Sequence, residues 1–262
     1  MPDALPAPAP PADPERRFGG IARLYGAAAA ARFARAHVCV IGIGGVGSWA
    51  VEALARSGVG RLTLIDLDHV AESNVNRQVH ALDATLGQAK VQAMGARVQA
   101  INPACAVTPV DDFIDPDNCA ALLAGGFDHV VDAIDHVRAK VALIAHCRRQ
   151  GLALVTVGGA GGRTDPGCVR VADLARTAQD PLLAKVRQRL RKEHGFPRDP
   201  RRRFGVPCVY ADAPLQLPPD ARAGGGLSCA GLGSAVAVTA TFGLFAAAHV
   251  LAALAADAGA AP

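Results

Sequence analysis

Val40-Ile41-Gly42-Ile43-Gly44-Gly45-Val46-Gly47-Ser48 closes an apolar run from His37 to Ile41 and opens a helical run from Gly45 to Ser57. An apolar strand, a Gly-x-Gly-x-x-Gly turn and a helix in that order form a dinucleotide-type turn. Glycine is required there so that backbone N–H groups and a helix N-terminus can approach phosphate closely. Gly42, Gly44, Gly45 and Gly47 are therefore the candidate phosphate cradle. Asp66 lies 22 residues beyond Gly44, at the end of the next apolar run, where a carboxylate accepts hydrogen bonds from ribose hydroxyls.

Outward from this turn the chain alternates. Val38 to Ile41, Leu62 to Ile65, Val107 to Val110, His129 to Val131 and Leu152 to Thr156 read as short apolar strands, with amphipathic stretches between them. Such alternation predicts an α/β fold, a Rossmann-like doubly wound and mostly parallel sheet covered on both faces. Residues 15–165 form the nucleotide-binding part. Residues 166–256 form a C-terminal α+β extension of the same globular unit, with a further strand at Val169 to Leu174 and a helix from Pro181 to His194.

The groups after Asp66 bear on which nucleotide is bound. Asp68, Asn74, Arg77 and Lys90 follow it closely, and Val130-Val131-Asp132-Ala133-Ile134-Asp135 is a strand that delivers two acids to the same crevice. Singly, Arg77 reads as a surface arginine, Asn74 as a loop residue and Lys90 as a solvated helix residue. Together they suit a triphosphate and the charge that develops when a carboxylate attacks its α-phosphorus. Asp132 reads as a cap for the next helix. Asp135 is placed to hold Mg²⁺, which takes one or two carboxylates plus phosphate oxygens.

On these residues the chain resembles the ubiquitin-activating-like adenylating enzymes: the Gly-x-Gly-Gly-x-Gly turn, Asp66-x-Asp68, Asn74-x-x-Arg77, Gly87-x-x-Lys90 and Asp135. Further stretches, among them Arg17-Phe18-Gly19-Gly20-Ile21-Ala22-Arg23, Asp132 to Arg138, Val157 to Gly162, Asp173 to Thr177 and Val238 to Gly243, are similar to one branch, the dehydratases of threonylcarbamoyladenosine in tRNA. The resemblance implies ATP and Mg²⁺ as cofactors and tRNA, modified next to the anticodon, as substrate. It implies a homodimer in which Arg23 reaches the partner's nucleotide, Arg77 and Lys90 stabilise the charged transition state and Asp135 anchors the metal. It also suggests a cysteine desulfurase or sulfur acceptor as a partner.

The implied substrate ends in a carboxylate that is ionised at neutral pH, so its activation needs positioning and charge neutralisation without a general base. Ring closure from within the acyl-adenylate then releases AMP. A cysteine relay, as in ubiquitin-activating relatives, stays open with Cys208 and Cys229 as candidates, although small buried residues are the simpler account of both. A sulfur-carrier adenylyltransferase is the alternative function. No Cys-x-x-Cys occurs to build the zinc site common among those relatives. An NAD-dependent oxidoreductase is a further alternative.

The 262 residues, 51% hydrophobic, are enough for one substantial core. Seven cysteines without paired spacing fit free thiols in a reducing cytoplasm. Residues 1–14, dominated by Pro and Ala, read as a disordered tail rather than a secretion signal. In the helix and loop 181–203, nine Lys and Arg stand against Glu193 and Asp199, an excess of seven in a chain of formal net charge +4. By itself that is a solvated surface. With a tRNA substrate it becomes a phosphate-binding face. Residues 231–256 carry no Asp, Glu, Lys or Arg and are long enough to cross a bilayer. They contain several Gly and Thr residues and lack interfacial flanks, so a buried helix at a subunit contact is favoured.

Overall fold

A computed structural model describes residues 13–199, 201–216 and 232–259. Asp13 and Pro14, assigned from sequence to the tail, instead begin the first helix. The Asp13 carboxylate accepts from the N–H groups of Glu15 and Arg16, and Pro14 occupies the first turn, where no N–H is needed. This helix, α1 (Pro14–Tyr25), and α2 (Ala27–Arg35) lead into the alternating core. The core runs β1 (His37–Ile41), α3 (Gly47–Arg56), β2 (Arg61–Ile65), α4 (Lys90–Ile101), β3 (Ala106–Val110), α5 (Cys119–Leu122), β4 (His129–Asp132), α6 (Val137–Gln150) and β5 (Leu154–Val157). The rest consists of β6 (Val169–Asp173), α7 (Pro181–Glu193), β7 (Pro207–Ala211) and α8 (Val236–Gly259).

The seven strands form one sheet in the order β3-β2-β1-β4-β5-β7-β6. Six are parallel and β6 is an antiparallel edge. The sequence reading missed β7, whose five residues follow an arginine triplet and begin with proline. It slots between β5 and β6, so the C-terminal extension continues the same sheet. Successive strand residues face opposite layers: Val38, Val40 and Val131 join α2, α3, α4 and α8, whereas Cys39, Ile41 and Val130 join α6 and α7. Strand order reverses between β1 and β4, which opens a crevice at their carboxyl ends.

Helix α8 is 24 residues long and apolar enough to cross a membrane by length and composition. Here it packs as a core helix. Its start, at Val236, is later than the 231 read from sequence, and residue 231 lies outside the described residues. Phe242, Ala246, Val250 and Leu254 are buried, and Gly243 sits so close to α3 that a Cβ there would stand 2.8 Å from Trp49 Cβ. Leu244 and Phe245, on its other side, are exposed.

Asp132 does not behave as a simple helix cap. It is fully buried with Lys140, whose Nζ lies 2.8 Å from Oδ1, while Thr156 Oγ1 donates to Oδ2 at 2.6 Å. His136 caps α6 in its place, its Nδ1 accepting from the Ala139 N–H. Removing one member of a buried pair strands a charge, at a cost of about 3–5 kcal/mol. Urea denaturation of Lys140→Met should show a loss of that size, with a smaller loss in Asp132→Asn/Lys140→Met. A single variant within about 1 kcal/mol of wild type would refute the pairing's structural role.

Candidate functional site

The crevice is a cavity of about 620 Å³. Its floor is the glycine turn. Gly42 has φ +86°, and a Cβ there would stand 2.9 Å from the carbonyl carbon of Ala133, at the end of β4. A Cβ on Gly47 would overlap the Gly42 carbonyl oxygen. These two positions exclude side chains by contact, so the turn is close-packed against both β4 and its own return. Gly44 faces open space.

Asp66 locks the same turn from β2. Oδ2 accepts from the Ile43 N–H at 2.6 Å and Oδ1 from the Asp68 N–H at 2.8 Å. Burial pushes its carboxyl above the usual carboxylate range, against the opposing pull of Lys90 and those two N–H groups. Asp68 is largely exposed and holds the buried Lys90 at 2.6 Å. Arg77 lays its stem over Gly45, where a Cβ would lie 3.1 Å from Arg77 Cγ, and its Nη1 donates to Ser73 O and Asn76 Oδ1. Trp49 Nε1 fixes the Arg77 backbone carbonyl at 2.9 Å.

Asp135 is exposed and forms part of the cavity wall, and it makes no ion pair among the described residues. The structure thus brings Gly42, Gly44, Gly45, Asp66, Asp68, Arg77, Lys90 and Asp135 together, with Gly47 closing the turn beneath them. It does not bring in Asn74 or Arg23. Asn74 is buried and turns its Oδ1 back onto the Ala71 N–H, stabilising the loop that carries Arg77. Arg23 is exposed on α1, away from the cavity of its own chain. Among the described residues no three His, Cys, Asp or Glu side chains cluster to hold a metal, so a cation here needs phosphate oxygens beside Asp135.

Sequence reasoning missed several wall residues. Asp112, Phe113 and Ile114 follow β3, and Phe113 is 55% exposed, a large apolar side chain beside the crevice. Thr239 arrives from α8, and Gly158 to Ala160 follow β5. The stretches Val157 to Gly162 and Val238 to Gly243 resembled one branch without being given a place in the site, and nothing signalled Asp112 to Ile114. Of the two cysteine candidates, Cys208 is buried in β7, and burial raises its thiol far above the range in which a thiolate forms. That removes it as a nucleophile. Cys229 lies outside the described residues.

The basic run divides in two. On α7, Leu183, Val186 and Leu190 face the core, while Arg187, Gln188, Arg191 and Lys192 join Arg198 around a surface pocket of about 480 Å³. Arg187 is steadied by Thr177, and Arg191 by the Pro197 carbonyl and the Phe204 ring. Arg201, in contrast, is 90% exposed beside Asp199.

A model of the ThiF family matches residues 19–261. A tRNA threonylcarbamoyladenosine dehydratase of Escherichia coli is 52% identical over 90% of this chain and 92% of its own. The one from Haemophilus influenzae is 51% identical with the same coverage. A crystal structure of the Escherichia coli tRNA N6-threonylcarbamoyladenosine dehydratase in complex with ATP superposes with a TM-score of 0.88, at 50% identity over 95% of this chain and 97% of that one.

His80 lies behind Lys90, buried, with neither ring nitrogen partnered among the described residues. Burial and the charges of Lys90 and Arg97 push it down to about 4. His129 is likewise held near 4 by burial. An unfolded histidine titrates near 6.5. Between those values the unfolded chain binds protons that the folded chain refuses, so stability falls as pH drops from about 6.5 towards 4, by up to about 1.4 kcal/mol per pH unit for each group. Denaturation at several pH values should show that slope, reduced in His80→Gln; an identical slope in the variant would overturn the assignment.

Proposed function

The chain belongs to the ThiF family, and from that premise we propose that it is the ATP-dependent dehydratase of threonylcarbamoyladenosine in tRNA. The observation that carries this reading is similarity to such dehydratases across nine-tenths of both chains. The relatives described above lend the sulfur-carrier alternative no comparable support.

ATP suits the cavity. The glycine turn receives its phosphates, Asp66 its ribose, and Phe113 and Ile114 offer an apolar wall for the base. Lys90 and Arg77, already oriented by Asp68 and by the Ser73 carbonyl, meet the charge at the α-phosphorus without reorganising. Asp135, an exposed carboxylate in the wall of the same cavity, would hold Mg²⁺, which when bound neutralises phosphate charge. The threonyl carboxylate attacks the α-phosphorus, an oxygen–phosphorus bond forms, and pyrophosphate leaves. The urea-like group of the same substrate then attacks the acyl carbon, AMP leaves with the former carboxylate oxygen, and a five-membered ring closes. The substrate has lost one water.

The enzyme acts as a soluble cytoplasmic homodimer. Arg23 stands outside its own cavity beside Leu24, which is 76% exposed, and the Leu244 and Phe245 face of α8 is also uncovered within one chain. A second copy covering this apolar surface brings Arg23 to the partner's nucleotide. tRNA phosphates dock on the basic face of α7 and the loop that follows it.

Mass spectrometry of nucleosides after incubation with ATP, Mg²⁺ and modified tRNA tests the reaction. The product should be lighter by one water, and an unchanged nucleoside would overturn the reading. If Arg23 acts across the dimer, mixing inactive Arg23→Ala with inactive Asp135→Ala protein should restore turnover, because one site in a mixed dimer keeps every group. No recovery despite subunit exchange would place Arg23 in its own subunit or outside the reaction. For docking, Lys192→Gln/Arg198→Gln should flatten the salt dependence of tRNA binding by roughly one unit of slope for each phosphate that is no longer neutralised, with ATP affinity unaltered. An unchanged slope would move docking to another face.

A further inference from the structure

The glycine-rich turn after β5 wraps a guanidinium that the mechanism above leaves unused. Arg163 is only 4% exposed. Nη1 donates to the carbonyls of Gly159 at 2.7 Å and Gly161 at 3.4 Å, and Nη2 to that of Gln179 at 2.7 Å. Gln179 is held at φ +55°, the one non-glycine residue with positive φ among the described residues. Such a conformation costs about 1 kcal/mol, and it occurs where the backbone supplies a carbonyl to Arg163. Nε is buried too and has no partner among the described residues. Arg163 makes no ion pair among them either. Asp180, nearby, is already engaged by the N–H groups of Gly159 and Leu183.

A small cavity of about 30 Å³ lies against Arg163 and shares Asp135 and Gly159 with the nucleotide cavity. Leu182, Leu215 and Leu232 complete it with apolar surface. The turn itself is held in place, since the Gly162 N–H donates to the Gly233 carbonyl and the Gly162 carbonyl accepts from the Gln216 N–H. A buried cation satisfied, among the described residues, only by carbonyls carries a desolvation cost that an entering anion would offset. A charge-assisted hydrogen bond to a preorganised guanidinium is among the stronger polar contacts available. On the dehydratase reading, the one anionic group at the acyl end of the substrate is its carboxylate, and it must lie where the two cavities meet, beside Asp135.

We infer that the small cavity is the acyl subsite, in which Arg163 receives the carboxylate end of the carbamoylated amino acid and sets it against the nucleotide's α-phosphate. This inference rests on the dehydratase reading, and it assigns substrate contact to a residue that lies on neither the ATP cradle nor the basic face of α7.

Affinity for threonylcarbamoylated tRNA, for unmodified tRNA and for ATP, measured on wild type, Arg163→Gln, Arg163→Lys and Leu215→Trp, tests it. Wild type should prefer modified over unmodified tRNA by about tenfold, the size of one charge-assisted contact. Arg163→Gln should lose that preference with ATP and unmodified tRNA bound as before, and Arg163→Lys should keep part of it. Should Arg163→Gln fail to fold, Leu215→Trp decides, because it fills the cavity from a partly exposed loop and should abolish the same preference. Retained preference in the folded variants, in an enzyme whose wild type dehydrates tRNA, would overturn the subsite and leave the function standing. A wild type that neither dehydrates modified tRNA nor prefers it would overturn the function, and this inference with it.

Discussion

At the end of β1 the backbone folds back on itself so tightly that the carbonyl of Gly42 occupies the space a side chain on Gly47 would need, and Gly42 in turn presses on the carbonyl of Ala133. Three elements are fixed by that one contact: the end of β1, the start of α3 and the loop after β4. The end of β4 is the point where strand order reverses, so the contact also sets the crevice. Asp66 secures the arrangement from the other side by accepting from Ile43 N–H within the turn. Gly243 of α8 packs onto the same part of α3, which is how a helix near the C-terminus delivers Thr239 to a cavity built by the first half of the chain.

Charge in the site is arranged before any ligand arrives. Lys90 is buried and would be costly alone. Asp68, exposed on its outer side, compensates it and aims it. Arg77 has its Nη1 occupied by neutral acceptors, so no acid neutralises it among the described residues. The two acids of β4 have separate uses because of depth. Asp132 ends the strand inside the core and is neutralised by Lys140, whereas Asp135 lies three residues on, in the loop, and reaches solvent. One residue stabilises the floor of the crevice, and the other presents its carboxylate in the crevice wall.

The parallel core was legible in the sequence because its strands are apolar on both faces and separated by glycine turns, a pattern with few other readings. The glycine turn was legible for the same steric reason that makes it glycine. Strand β7 was not, since five residues behind three arginines give no period to count. Asp132 was misread as a helix cap, and the direction in which Asn74 turns was not legible, because spacing reports that a polar group is near a crevice without reporting which way it turns. Asn74 serves the backbone of its own loop, and Asp132 serves a lysine eight residues on. Phe113, Thr239 and Arg163 come from separate segments, and only the folded sheet brings them to the crevice or its margin.

The fate of the thiols follows from the same geometry. An adenylate can be passed to a cysteine when its final acceptor is another molecule that must be brought in. Cys208 is enclosed between β5 and β6 on the edge half of the sheet, where burial keeps it protonated. The substrate read here carries its own acceptor, a urea-like group a few bonds from the activated carbonyl. Tethered reactants of that kind reach effective molarities of about 10⁵ M or more. A covalent relay would add two steps to a closure already favoured by proximity. What the protein must supply is the restraint that holds the carboxylate and the phosphate face to face, and the glycine turns after β1 and β5 line the one cavity.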